Sequence, residues 1–155
     1  MKKECDENKF YYLLFGGSMI TKTVFILFST FWLLFITSFI GTKVKDEKEA
    51  QDIYANVMIV GIIFGLIGMP FAGMFCDRVS PTKAIPVAFL SRFFAIIIFM
   101  FVKDPTSFGM YFSGILILFG TSFETISTDS MIMRNAQKEI RGTIYGTAMA
   151  FGYVG

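Results

Sequence analysis

The sequence holds no histidine, two cysteines, one tryptophan and four prolines in 155 residues. Without histidine, a His-ligated metal site and a His-based catalytic triad are impossible. Cys5 and Cys76 stand 71 positions apart, which is neither a zinc-ligand spacing nor a disulfide framework. Charge is also scarce, at 17% of residues, where a soluble domain carries about 25%. The net charge of +2 and the absence of a basic face exclude a nucleic-acid partner. The Asp, Glu and Ser residues show no nucleophile–base spacing, so the sequence supports neither an enzyme nor a cofactor or metal.

What the chain has instead is apolar residues, 54% of the total, including 20 phenylalanines. Their distribution decides the class. No charge falls within 23–42, 53–76 or 105–123, runs of 20, 24 and 19 residues. A helix needs about 20 apolar residues to span the hydrocarbon core. The sequence therefore predicts an all-α, polytopic membrane helical bundle in contact with the lipid bilayer.

Residues 1–22 read as a cytoplasmic tail or linker. They carry Glu4, Asp6 and Glu7 ahead of an uncharged run too long for a signal peptide, so the first helix is retained. The expected spans are 23–41, 54–75, 84–102, 106–128 and a truncated 142–155. A polar loop, TKVKDEKEAQD, separates the first two spans, and DSMIMRNAQKEIR follows the fourth. Gly61 and Gly65 offer a face where another helix backbone can approach closely. Pro70 is expected to kink the second span, and Pro86 to occupy the first turn of the third. The last fourteen residues reach only about 21 Å at helical rise, short of the roughly 30 Å core, which gives the chain the look of a fragment.

Lysine and arginine set the orientation. With the N-terminus in the cytoplasm, Lys2, Lys3, Lys9, Lys22, Arg78, Lys83, Arg134, Lys138 and Arg141 lie inside. Lys43, Lys45, Lys48 and Lys103 lie outside, and Arg92 falls within a span. The positive-inside rule favours this topology over its reverse.

The segment between the second and third spans, Gly73-Met-Phe-Cys-Asp77-Arg78-Val-Ser-Pro-Thr-Lys83, carries the most specific pattern. A carboxylate at the apex of a short, stiff turn can accept hydrogen bonds from the N-terminus of a neighbouring helix. An ordinary solvated, positive-inside loop is the competing explanation of the same residues. This segment resembles the signature of the major facilitator superfamily of secondary transporters, Gly-x-x-x-Asp-Arg/Lys-x-Gly-Arg/Lys-Arg/Lys. Gly73, Asp77 and Arg78 match. Ser80 replaces the second glycine, Pro81 and Thr82 replace two cations, and Lys83 restores a charge one place late. The pair Arg141-Gly142, followed by Gly146, is similar to the Arg-Gly that opens the fifth or eleventh helix in the family.

The resemblance covers about residues 20–155 and implies part of one six-helix half, helices 7–11 or 1–5. The degenerate loop signature and the leading segment FYYLLFGGSMITK suit helices seven to eleven, the C-terminal half; the initial Met suits one to five. It also implies alternating access of two halves around a central site, with a second half of the transporter as partner and a small molecule of unknown identity as substrate. Gly73, Asp77, Arg78, Lys83, Arg141 and Gly142 would then form the conformational gate.

Charges within spans are costly and seldom idle. Arg92 and Glu124 lie on adjacent antiparallel helices, both roughly 6–12 Å inside the inner boundary. They can form a structural ion pair, Glu124 can reach interfacial water, or Glu124 can serve as a proton-coupling carboxylate. Thr23, Thr30 and Thr37 recur every seven residues on the first span, with Trp32 beside them. Ser113, Gly120, Glu124 and Thr128 share a face of the fourth. The resemblance makes Thr30, Trp32, Thr37, Ser113 and Gly120 possible cavity-lining residues, while helix packing through small and hydroxyl side chains explains the same stripes. The functional expectation is a secondary transporter without covalent chemistry. The rival is a self-contained four-span scaffold or assembly subunit.

Overall fold

The structure is a computed structural model that describes residues 22–135, 142–144 and 146–147. Its helices are α1 (Lys22–Thr37), α2 (Glu47–Arg78), α3 (Pro81–Met100) and α4 (Phe108–Asn135). Residues 142–144 and 146–147 are also helical. Among the described residues, the one β-type pairing is a bridge between Ile40 and Val44. Three of the helices, α2, α3 and α4, are long and apolar enough to cross a membrane. The chain divides into two compact units, residues 30–130 and a unit made of 1–29 with 131–155. In the second, the Ser29 hydroxyl donates to Phe25 O at 2.8 Å and Thr147 to Thr143 O at 2.8 Å. The tail at 1–21 and most of the fifth expected span lie outside the described residues.

The helix boundaries differ from the sequence expectation, and at the start of α2 local capping extends the helix. α2 begins at Glu47, inside the stretch read as a polar loop. Asp46 caps it by accepting from Glu49 N at 2.8 Å, and the Glu49 carboxylate accepts from Lys45 N at 2.6 Å. This reciprocal arrangement satisfies donors that a helix start otherwise leaves open. With 32 residues, α2 extends about 48 Å, so its charged first turns stand beyond the roughly 30 Å core. α3 begins at Pro81, which takes the first helical position next to the N-cap Ser80. Pro86 therefore lies inside the helix rather than in its first turn, and α2 runs through Pro70. α4 likewise continues seven residues past the expected end, to Asn135.

On α2 and α3, most of the buried positions carry small side chains. The buried face of α2 is Ala50, Ile53, Val57, Gly61, Gly65, Gly68, Ala72 and Cys76, spaced by three or four residues. That of α3 is Pro81, Ala84, Ala88, Arg92 and Ala95. Large apolar residues point outward instead, among them Ile59, Ile63, Leu66, Phe89, Leu90, Phe93 and Phe94. In water this distribution would leave a large aggregation-prone surface. In lipid it is the stable one, because small residues let backbones meet while large ones face the acyl chains.

α4 is the element on which the others converge. A Cβ at Gly61 would lie 3.0 Å from Gly114 O and 2.6 Å from Leu118 Cδ1, and one at Gly120 would lie 2.9 Å from Ala88 O. Two hydroxyls bridge the same seams: Ser122 donates to Gly65 O at 2.8 Å and Ser91 to Leu116 O at 2.6 Å. At one end Ala72, Cys76, Ala84, Ala88 and Phe123 form a buried cluster from α2, α3 and α4. At the other end Lys43, before α2, forms an ion pair with Asp104, before α4. Lys43 and then the Thr106 amide and hydroxyl hold the Asp104 carboxyl down to about 2.

Candidate functional site

The segment Gly73–Lys83 folds as a helix–turn–helix with almost no loop. Asp77 and Arg78 are the last two residues of α2, Val79 is its C-cap and Ser80 is already the N-cap of α3. Val79 N donates to Phe75 O at 2.9 Å and Lys83 N to Ser80 O at 3.2 Å, so the backbone is tied on both sides of the turn. The Ser80 hydroxyl does not cap α3; it lies 2.7 Å from the Thr82 hydroxyl. The turn is therefore stiff, as its length implies.

Asp77, Arg78 and Lys83 are exposed on this turn. Arg78 complements the partial negative charge at the end of α2, whereas the Asp77 carboxylate sits where that partial charge disfavours it. One turn earlier, a Cβ placed on Gly73 would meet nothing within 4 Å. Gly73 thus differs from Gly61, Gly65 and Gly68, which are filled by α4. The surface one turn before Asp77 is therefore open among the described residues. Of the second gate segment, Arg141 lies outside the described residues, and Gly142 is exposed with nothing within 4 Å of a Cβ.

Arg92 and Glu124 are brought together. Arg92 Nη2 lies 2.5 Å from Glu124 Oε2, with the side chains 8% and 13% exposed. Arg92 also donates to Thr121 Oγ1 at 3.2 Å, and that hydroxyl donates to Ile117 O at 2.9 Å. The pair joins α3 to α4 at the level where Gly120 admits the Ala88 backbone.

The polar stripes fall mainly on packing surfaces. Trp32 is 1% exposed; its ring edge would touch a Cβ on Gly114 at 3.3 Å, and it meets Phe99 edge-on at 6.3 Å. Ser113 is fully buried and donates to Met110 O, and Gly120 is closed by α3. Trp32 and Gly120, two of the expected cavity-lining residues, thus lie at helix–helix contacts. Thr37 donates to Leu34 O at 2.9 Å, and Thr30 is exposed.

A different cleft, mostly apolar but with hydroxyl residues on its α4 side, opens where sequence reasoning did not place one. A cavity of about 150 Å³ between α2 and α4 is lined by Thr121, Ser122 and Thr125 together with Gly65, Leu66 and Met69. The Thr125 hydroxyl donates to Thr121 O at 2.9 Å. The available signal was the i, i+4 spacing of Thr121 and Thr125 one turn from Gly-compatible Leu118 and Ser122, which reads equally as packing. Cys76 is buried, with its sulfur 3.6 Å from the Ser127 hydroxyl. No group of acidic, cysteine or histidine side chains among the described residues could hold a metal ion.

The model of the Major Facilitator Superfamily matches residues 8–155. Comparison with curated proteins and with solved structures gave no significant match. The match extends over nearly the whole chain and agrees with the long apolar helices, so this chain belongs to the Major Facilitator Superfamily. It is a multi-pass integral membrane protein of a family of transporters, not of enzymes.

Proposed function

We propose that the chain forms one side of a secondary active transporter that moves a small solute by alternating access between two helical halves. Its N-terminus lies in the cytoplasm, in keeping with the bias of lysine and arginine. The turn from Gly73 to Lys83 is the conformational gate. Asp77 docks on the positive end of a helix in the opposite half, and Arg78 and Lys83 bind carboxylates or helix C-termini there. One observation carries this reading: an exposed Asp–Arg pair stands on a two-residue connection, one turn beyond the open surface at Gly73. A solvated loop needs neither the stiffness nor the glycine.

The second half is the partner that completes the cavity, and Arg141 with Gly142 receives the equivalent carboxylate from it. The Arg92–Glu124 pair fixes α3 to α4 so that they move together. Replacing Asp77 by Asn in the full-length product tests the gate. The variant should reach the membrane normally and lose most of its transport, because the amide keeps the shape but not the charge. Normal solute flux in that variant would remove Asp77 from the mechanism, and assembly without any flux in the wild type would favour a scaffold.

A further inference from the structure

The turn between α3 and α4 carries an apolar groove with two unanswered polar groups. The groove, of about 420 Å³, is lined by Ile98, Phe101 and Val102 from the end of α3, and by Lys103, Asp104, Ser107 and Gly109 beyond it. Asp104 is engaged by Lys43 and Thr106. Lys103 is exposed and makes no ion pair among the described residues. The Ser107 hydroxyl is shielded from solvent and has no hydrogen-bond partner. Lys43, Lys103 and Asp104 together leave one net positive charge at the groove.

The position of the groove restricts what can fill it. α3 and α4 are both long enough to cross a membrane, so their connection lies at a membrane surface. Met100, Phe101 and Phe108 are 77%, 79% and 78% exposed, more than any other large apolar residue among the described ones. Phe108 and Phe112 stack at 5.6 Å on the first turns of α4. Gly109 keeps the groove open, since a Cβ there would lie 3.2 Å from Val102 Cγ2 and 3.8 Å from Ser107 Oγ.

We propose that this groove binds a membrane phospholipid, with its phosphate on Lys103 and the Ser107 hydroxyl and its chain along Ile98, Phe101 and Val102. A phosphate oxygen would accept from Lys103 and, once the Ser107 side chain turns into the groove, from the hydroxyl that now lacks a partner. The exposed Phe101 and Phe108 would cover the apolar chain just below the headgroups, where burying apolar surface is favourable. A neutral apolar molecule would leave Lys103 and Ser107 unanswered, and a free phosphate would leave the apolar walls in water.

The full chain reconstituted in phosphatidylcholine–phosphatidylglycerol vesicles, with a trace of a photo-crosslinking phospholipid, tests this. Crosslinks should concentrate on residues 98–109. Replacing Lys103 by Ala should lower them about fivefold relative to crosslinks on the lipid-facing residues 62–67, as expected for one lysine near a lipid surface, and Lys103→Arg should restore them. Gly109→Leu should reduce them by filling the groove while leaving the 62–67 crosslinks unchanged. Equal labelling of both segments, or no change in Lys103→Ala, would reduce the groove to ordinary lipid contact and overturn the site. Displacement of the crosslink by millimolar inorganic phosphate would assign the groove to a free anion instead.

Discussion

Ser122 on α4 donates its hydroxyl proton to Gly65 O on α2 at 2.8 Å, and a Cβ on Gly65 would stand 3.2 Å from that same hydroxyl oxygen. The hydrogen bond and the missing side chain are therefore one device, since each requires the close approach that the other permits. Replacing Ser122 by Ala should cost about 0.6 kcal/mol and no more than about 1.7, the average and the maximum for interhelical hydrogen bonds in membranes. The cost should fall toward the lower figure because the hydroxyl also lies 3.1 Å from Leu118 O in its own helix. Unfolding of the detergent-solubilised chain by a graded denaturant reads this directly.

The buried pair of Arg92 and Glu124 predicts an asymmetry between single and double substitutions. Replacing Glu124 by Gln removes the negative charge that faces the guanidinium in a buried site. Breaking one side of a buried pair costs about 3–5 kcal/mol, whereas replacing both partners by apolar residues of similar volume is often neutral. Arg92→Met with Glu124→Leu should thus be more stable than either single variant. The full-length transporter separates this from a coupling role: solute exchange that persists in Glu124→Gln without uphill accumulation would assign proton coupling to Glu124.

The features legible in the sequence are those set by composition and by residues adjacent in the chain. Uncharged runs marked α1, α2 and α4, whereas α3 carries Lys83 and Arg92, and Gly73, Asp77 and Arg78 marked the short turn between α2 and α3. Gly61 and Gly65 were readable as a contact face because their spacing defines one side of a helix. The start of α2 was not, because Asp46 and Glu49 act as caps in a stretch whose seven charges look like a solvated loop. Trp32 shows the other limit. A tryptophan beside a threonine stripe suits a cavity or a seam equally well, and what decides is Gly114, over eighty residues away, which leaves room for the ring. Likewise Lys43 and Asp104 meet only because the helices return their ends to one surface.

That ion pair makes a prediction about acid. The Asp104 carboxyl is held near 2, below its ordinary 3.8, so the fold favours its charged form. Its stabilising contribution is complete above about 3.8 and is lost as pH falls through about 2. Between about pH 5 and pH 8 it should therefore contribute no pH dependence. Asp104→Asn should shed the part of the acid-induced loss that occurs between about pH 4 and pH 2. Because the group is solvent-accessible, added salt should diminish the difference between the two proteins. Denaturation midpoints collected across that range at low and high ionic strength test both statements.

Two glycines on one helix should respond in opposite ways to the same change. Gly61 faces α4, where an added Cβ would stand 3.0 Å from the backbone oxygen of Gly114, an atom that cannot move aside without moving the helix. Gly73 faces open space within this chain. Leucine at position 61 should push α2 from α4 and cost about 1–3 kcal/mol or more, as overpacking does. Leucine at position 73 should not lower the stability of the isolated bundle, because it meets nothing within 4 Å and removes a glycine from a helix interior, a gain of up to about 1 kcal/mol. The proposed gate gives Gly73 a second sensitivity. If the open surface at Gly73 receives a helix of the opposite half, leucine there should block closure, so the full-length Gly73→Leu protein should bind its solute yet transport it poorly. Stability measured on the bundle and flux measured in the whole transporter must then diverge for Gly73→Leu and fall together for Gly61→Leu. Normal flux in the Gly73→Leu protein would show that nothing docks on this surface.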